Sequence, residues 1–202
     1  AQELSKLNAF SDVLIREDKR TNADRGTHIV FVDMGTPKVK GKTKNDAVEV
    51  QTDGTELAEG SDLGEVLSAT EMVKLTNFYA EIKTNLVSRG IPEKEIAFIH
   101  DAKTDTKRTQ LFDDVNSGKV RVIIGSTGKM GQGVNVQKRL AVEYELDAPW
   151  RPRDVEQRVG RIIRQGNEVY GPKVAADGLT VLEPGKGVKR YIFVTQNSFD
   201  GV

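Results

Sequence analysis

Two stretches of this sequence carry residue types and spacings suited to chemistry on phosphates. The first is Arg151–Asn167, RPRDVEQRVGRIIRQGN, with arginines at 151, 153, 158, 161 and 164. Written on a helix, Val155, Val159 and Ile162 form an apolar stripe. Gln157, Arg161 and Arg164 repeat the same spacing two residues later, about 200° around the axis. Arginine stays ionised and offers a planar fork to phosphate oxygens. Gly160 lowers helix propensity by roughly 1 kcal/mol relative to Ala, and it bares the backbone beside Arg161 so that a ligand or another backbone can come close. The alternative is a solvated basic face, which needs neither the glycine nor the aligned glutamine.

The second stretch is Gly125–Gln137, GSTGKMGQGVNVQ, directly after an apolar run. Glycines and hydroxyl residues after a strand suit a loop whose backbone approaches a phosphate. It is not a P-loop. G-x-x-x-x-G-K-[ST] would require Gly at 123 and Ser or Thr at 130, where the chain has Ile123 and Met130. No other stretch supplies a Walker A motif, and no acidic pair follows an apolar strand as a Walker B. A nucleotide served by this chain therefore has its main cradle elsewhere.

Composition removes other chemistries. There are no cysteines and two histidines, His28 and His100, so disulfides, thiolate metal sites, cysteine nucleophiles and histidine-rich metal clusters are excluded. No apolar run reaches the roughly 18 residues that span a bilayer, and the opening AQELSKLNAF has no signal-peptide core; a cytoplasmic, membrane-free protein is expected. The 30 basic and 30 acidic residues cancel, but unevenly. Residues 1–101 hold 13 Lys+Arg and 18 Asp+Glu, a net of −5, and residues 102–202 hold 17 and 12, a net of +5. The C-terminal half is thus the one suited to an anionic ligand.

The elements that must position these residues follow from periodicity. Strands are expected at His28–Met34, Glu95–His100, Val120–Gly125, Leu140–Asp147 and Arg190–Thr195, as short β-branched or alternating apolar runs. Leu75, Phe78, Tyr79, Ile82 and Leu86 trace an amphipathic helix, with Ser68 and Glu71 as a capping box and Gly90 as its stop. A second helix runs from Asp105 to Asn116, with Thr104 as N-cap and Gly118 beyond its end. A third, Arg153–Arg164, has Pro152 at its first turn and stops before Gly166. Residues 1–27 supply a leading helix over about the first 22 positions. Alternating strands and helices predict one three-layer α/β domain over 1–202, with a mainly parallel sheet and helices on both faces. Residues 35–67 fall outside the alternation. Eight acids and no Lys or Arg between Asn45 and Val73 mark an acidic insertion, either a solvated excursion or a partner-binding surface. Residues 166–188 read as a loop or hairpin insertion.

In order, VRVIIGSTGKMGQGVNVQ and LDAPWRPRDVEQRVGRIIRQGN resemble the second RecA-like domain of superfamily 2 helicases and translocases, most of all the Snf-type branch. That branch has a serine-threonine loop with G-x-G-x-N, a D-x-P-W turn, then Q-x-x-G-R-x-x-R. His28–Met34 resembles the start of motif IV, FIHDAK with the Arg108-containing helix the segment before motif V, and RYIFVTQNSFD the strand that closes the domain. The 35–67 excursion and the SFDGV ending are similar to the helicase part of large phage- or plasmid-borne proteins that join an adenine-specific DNA methylase to a helicase. The family's first motor domain is absent, so the chain resembles a fragment of a longer polypeptide.

The resemblance implies roles. ATP with Mg would lie between two RecA-like domains, bound mainly by the N-terminal one. Arg161 and Arg164 would reach across as arginine fingers, with Gln157 beside them and Gly131, Gly133 and Asn135 along the nucleotide side. Ser126, Thr127, Lys129 and Asp101 would face DNA, with no metal bound by this chain itself. Trp150, His100 and Met130 read as packing residues. The expected function is the C-terminal half of an ATP-dependent DNA motor, inactive as an isolated chain. The rivals are a non-catalytic RecA-like module that binds DNA or a partner, and a self-contained phosphate-binding enzyme, against which the missing Walker motifs argue.

Overall fold

The computed structural model describes residues 2–33, 69–131, 134–147, 166–176 and 180–194. The acidic insertion, the D-x-P-W turn after Asp147 and the whole arginine-rich stretch through position 165, with Gly133, Trp150, Gln157, Arg161 and Arg164, lie outside them.

Helix α1 (Gln2–Thr21) leads into strand β1 (Thr27–Phe31). Helix α2 (Ala69–Ser88) precedes β2 (Ile96–Phe98), α3 (Asp105–Asn116), β3 (Val122–Gly125), the short α4 (Thr127–Gly131) and β4 (Leu140–Glu145). Strands β5 (Lys173–Val174) and β6 (Val181–Glu183) form an antiparallel pair before β7 (Lys189–Ile192). The main sheet runs β2-β3-β1-β4-β7 with every pairing parallel. This is the expected α/β architecture, and 166–188 contributes the hairpin.

Strand β1 sits in the middle and is buried throughout. Val30 and Val32 face one core, with Leu7, Phe10 and Leu14 of α1 and Tyr79, Ile82 and Leu86 of α2. Ile29 and Phe31 face the other, with Ile99, Val115 of α3, Met130 of α4, Val134 and Val136. The period-two alternation of an extended chain thus supplies two cores from one strand. The helix stops agree with their sequence signals: Gly90 and Gly118 have φ of +105° and +78°, conformations that favour glycine, and the Thr104 hydroxyl accepts the Lys107 N–H at 3.3 Å.

Several strands are shorter than their apolar runs. In place of Glu95–His100 only Ile96–Phe98 is paired, because Glu93–Glu95 and Ile99–Asp101 wind into 3₁₀ turns on either side. Glu95 closes the first of these turns; its carboxylate pairs with Arg25 at 3.0 Å and its carbonyl accepts the Arg121 N–H at 2.8 Å. The apolar run marks what is buried, and Ile99 is buried, but burial does not require strand pairing.

At the amino edge of the sheet, three arginines donate to backbone carbonyls. Arg25 reaches Gly118 O at 2.7 Å, Arg139 reaches Asp24 O at 2.8 Å, and Arg121 reaches Gly26 O at 3.1 Å. Arg121 is buried and is paired with Asp18 at 2.7 Å, which supplies the countercharge a buried guanidinium needs. The apolar stripe of α1 ends in two buried polar residues, Glu17 and Thr21. Glu17 accepts from Lys189 Nζ at 3.0 Å and Tyr191 Oη at 2.9 Å, which ties α1 to β7. Burial alone would raise the Glu17 carboxyl; hydrogen bonds from Arg20, Lys189 and Tyr191 outweigh it and hold the group at about 2.

His28 is the buried polar residue of the central strand. Its Nδ1 lies 3.0 Å from Tyr144 Oη and its Nε2 3.2 Å from Thr21 Oγ1. Burial, reinforced by the Arg121 charge, pushes the imidazole down to about 3 from an ordinary 6.5. Between those values the unfolded chain binds a proton that the folded chain does not, so stability is full above pH 6.5 and is lost as the pH falls towards 3. From this residue we expect urea-unfolding free energy to drop by up to about 1.4 kcal/mol per pH unit from about pH 6.5 to about pH 4.5. His28→Gln should remove about one proton from that dependence; an unchanged pH profile in the variant would contradict a neutral buried His28.

Candidate nucleic-acid interface at the carboxyl edge of the sheet

Parallel pairing brings the carboxyl ends of all the main-sheet strands to one edge, where open α/β sheets place their ligands. Strand β3, an inner strand, ends at Gly125. A Cβ built there would lie 2.3 Å from Ile99 Cγ2, so β3 can pass the 3₁₀ turn after β2 this closely only with glycine there. Beyond it Ser126 leaves the sheet and α4 begins.

The turn differs from the open phosphate loop expected from its glycines. Thr127 donates its backbone N–H to Asp33 Oδ1 at 2.7 Å, Lys129 donates its N–H to Ser126 Oγ at 3.4 Å, and Met130 donates to Ser126 O at 2.9 Å. These N–H groups are therefore engaged inside the chain. Ser126 acts as a helix N-cap, and Asp33, at the end of β1, takes the next donor. Thr127 is 4% exposed, so its side chain supports the turn from within instead of facing solvent. Met130 is buried in the core against Ile99 and Phe31.

The polar groups left facing outward are the half-buried Ser126 and the exposed Lys129 and Asp101. Among the described residues no carboxylate pairs with the Lys129 ammonium. His100 lies in the 3₁₀ turn after β2, its ring edge-to-face with Tyr79 and the centroids 4.8 Å apart. Burial lowers its pKa first, and the Lys129 charge adds to this while Asp101 opposes it. Tyr79 donates its hydroxyl to Val32 O at 3.2 Å, at the tip of β1. Ser126, Thr127, Lys129 and Asp101 are thus brought together, with Thr127 inside the turn.

Asn135 is not part of this group. Its carbonyl accepts Asn116 Nδ2 at 2.7 Å, and Asn116 also accepts the Lys138 N–H at 3.3 Å. Asn116 is the last residue of α3, whose 12 residues span about 18 Å from the Asp101 end. Asn135 is exposed there. Gly131 closes α4. Among the described residues no group of three or more His, Asp or Glu is arranged to hold a metal, and no helix is long and apolar enough to cross a membrane. Asp33 is the site residue that the sequence does not announce, because its partner is Thr127, 94 positions away.

Comparison with known proteins agrees with this geometry. No curated protein matches the sequence. Among solved structures, a variant of S. cerevisiae Dbp5 bound to RNA and ADP BeF3 is 19% identical with a TM-score of 0.50, the match covering 98% of this chain and 34% of that one. The complex of Dbp5 with Gle1 and IP6 gives 16% identity, a TM-score of 0.50 and coverage of 98% and 34%. The C-terminal part of the Fun30 ATPase domain gives 13%, 0.50, and coverage of 93% and 41%. The chain thus spans about a third of these two Dbp5 chains, and at these identities the likeness is one of fold. The family model described as the helicase conserved C-terminal domain matches residues 57–166, which hold the β3–α4 turn and the arginine-rich stretch. The chain belongs to the helicase conserved C-terminal domain family and has a RecA-like α/β fold.

Proposed function

We propose that this chain is the C-terminal motor domain of an ATP-dependent DNA helicase or translocase of superfamily 2, acting opposite a first RecA-like domain of the same polypeptide that carries the Walker motifs. The observation that carries this reading is the order of three motifs within the helicase C-terminal match: the G-x-G-x-N loop, the D-A-P-W turn and Q-x-x-G-R-x-x-R. The position of Ser126–Lys129 at the carboxyl edge of an inner strand supports it.

In this reading ATP and Mg are held mainly by the first domain, where Mg would neutralise charge on the phosphates. Arg161 and Arg164 meet the β- and γ-phosphates as charged forks, Gln157 lies beside them, and Gly131, Gly133 and Asn135 line the nucleotide side. Positioned charge is what phosphoryl transfer asks of the protein, and arginine keeps its charge on leaving water. Lys129 and the Ser126 hydroxyl contact the nucleic-acid backbone, and Asp101 borders them. Thr127 serves through its backbone. Asn135 bonds the last residue of α3, apart from the Ser126–Lys129 turn.

DNA is assigned as the polymer on the Snf-type motif spacing, and a large phage- or plasmid-type methylase-helicase as the parent protein on the 35–67 excursion and the SFDGV ending. Dbp5, whose fold this chain shares, has been described bound to RNA, so binding is compared on both polymers. The cytoplasm is the proposed compartment.

Lys129→Ala is expected to weaken binding about equally for unrelated sequences and to flatten the dependence of log affinity on log salt by about 0.7–0.9, the share of one phosphate contact. Isotherms at several salt concentrations measure this, and an unchanged slope and affinity would remove Lys129 from the interface.

In the complete polypeptide, Arg161→Ala or Arg164→Ala should lower steady-state ATP turnover by at least about 100-fold, within the range of arginine-finger losses. Near-normal turnover in both variants would refute the finger assignment.

A further inference from the structure

We propose that Asp33 is a positioning residue for the nucleic-acid contact: its carboxylate, by accepting the Thr127 N–H, fixes the turn that presents Ser126 and Lys129. The proposal rests on the nucleic-acid reading above and adds to it a residue from a different part of the chain.

Two observations place Asp33 in this role. The tip of β1 holds the passage from β3 to α4 at two points. Val32 donates its N–H to Gly125 O at 3.0 Å, and Asp33 accepts from Thr127 N at 2.7 Å. The first bond continues the β1–β3 ladder by one step, whereas the second uses a side chain to carry the hold beyond the end of the strand. Thr127 is buried and its bond to Asp33 is part-buried, so removing the carboxylate takes away an acceptor that solvent replaces poorly. From Thr127 the order is handed on along the turn, as the Lys129 N–H meets Ser126 Oγ and the Met130 N–H meets Ser126 O. Met130 is anchored in the core below. Lys129 lies between these two fixed residues, and its side chain is free to meet a phosphate from a defined backbone position.

The same carboxylate places a negative charge near a surface meant for a polyanion. Positioning and repulsion therefore act in opposite directions, and two substitutions separate them. Asp33→Ala removes both. Asp33→Asn keeps an acceptor oxygen for the Thr127 N–H and removes only the charge.

The test uses the chain and both variants, titrated into a short fluorescent single-stranded DNA of mixed sequence and into RNA of the same sequence. The Thr127 amide is followed by NMR on ¹⁵N-labelled protein. Asp33→Ala should weaken binding by about fivefold, the scale of one lost helix cap, and shift the Thr127 amide while speeding its hydrogen exchange. Asp33→Asn should restore wild-type binding or improve on it, with the Thr127 amide still protected. Equal tightening in both variants would overturn the proposal, since Asp33 would then act only as a repelling charge. An unmoved Thr127 amide in Asp33→Ala would overturn it whatever the binding result. Failure of the wild-type chain to bind either polymer would instead contradict the nucleic-acid reading, and the amide readings would still judge Asp33 separately.

Discussion

The parallel pairing of β1 with both β3 and β4 is the constraint from which the rest of the described structure follows. It buries β1 on two faces, so helices must cover the sheet on both sides, and alternate residues of one strand must feed two cores. It also separates the two edges. At the amino edge, arginines 25, 121 and 139 tie down the carbonyls of the turns between elements. At the carboxyl edge the ladder continues past the strands through bonds such as Leu146 N–H to Phe31 O at 3.0 Å and Phe193 N–H to Glu145 O at 2.9 Å. There the chain turns outward and presents polar side chains. The division of labour between a stapled edge and a presenting edge is imposed by strand direction alone.

A buried strand with polar residues at its start needs partners for them, and these partners organise the N-terminal helix. Thr21 and Tyr144 flank His28, Asp18 balances Arg121, and Glu17 gathers Lys189 and Tyr191. Helix α1 is therefore held to β1, to Arg121 before β3 and to β7 by directional bonds as well as by Leu7, Phe10 and Leu14. Such bonds specify one seating of the helix, because sliding it along its apolar stripe would leave several buried charges and donors without partners.

Much of this was legible in the sequence, for reasons that can be named. Gly90 and Gly118 are needed for positive φ, and Thr104 is a cap whose acceptor lies three residues from its donor, so both signals are local. The apolar runs located the strands because a strand buried on both faces has no polar alternation to hide it. Strand ends were less legible: hydropathy reports burial, and Ile99 is buried in a 3₁₀ turn. The helical turn after Gly125 was masked by its glycines. Asp33 was not legible as a site residue at all, since its role exists only once β1 and β3 are neighbours. The opposite holds for Arg161 and Arg164, which sequence spacing singles out and which lie beyond the described residues.

We propose that the chain is one half of a two-domain ATP motor. The most direct test is steady-state ATP turnover, with and without nucleic acid, for the chain alone and for the complete polypeptide. No turnover is expected from the chain alone, and nucleic-acid-stimulated turnover from the complete polypeptide. Steady turnover by the isolated chain, abolished by Arg161→Ala, would contradict this reading.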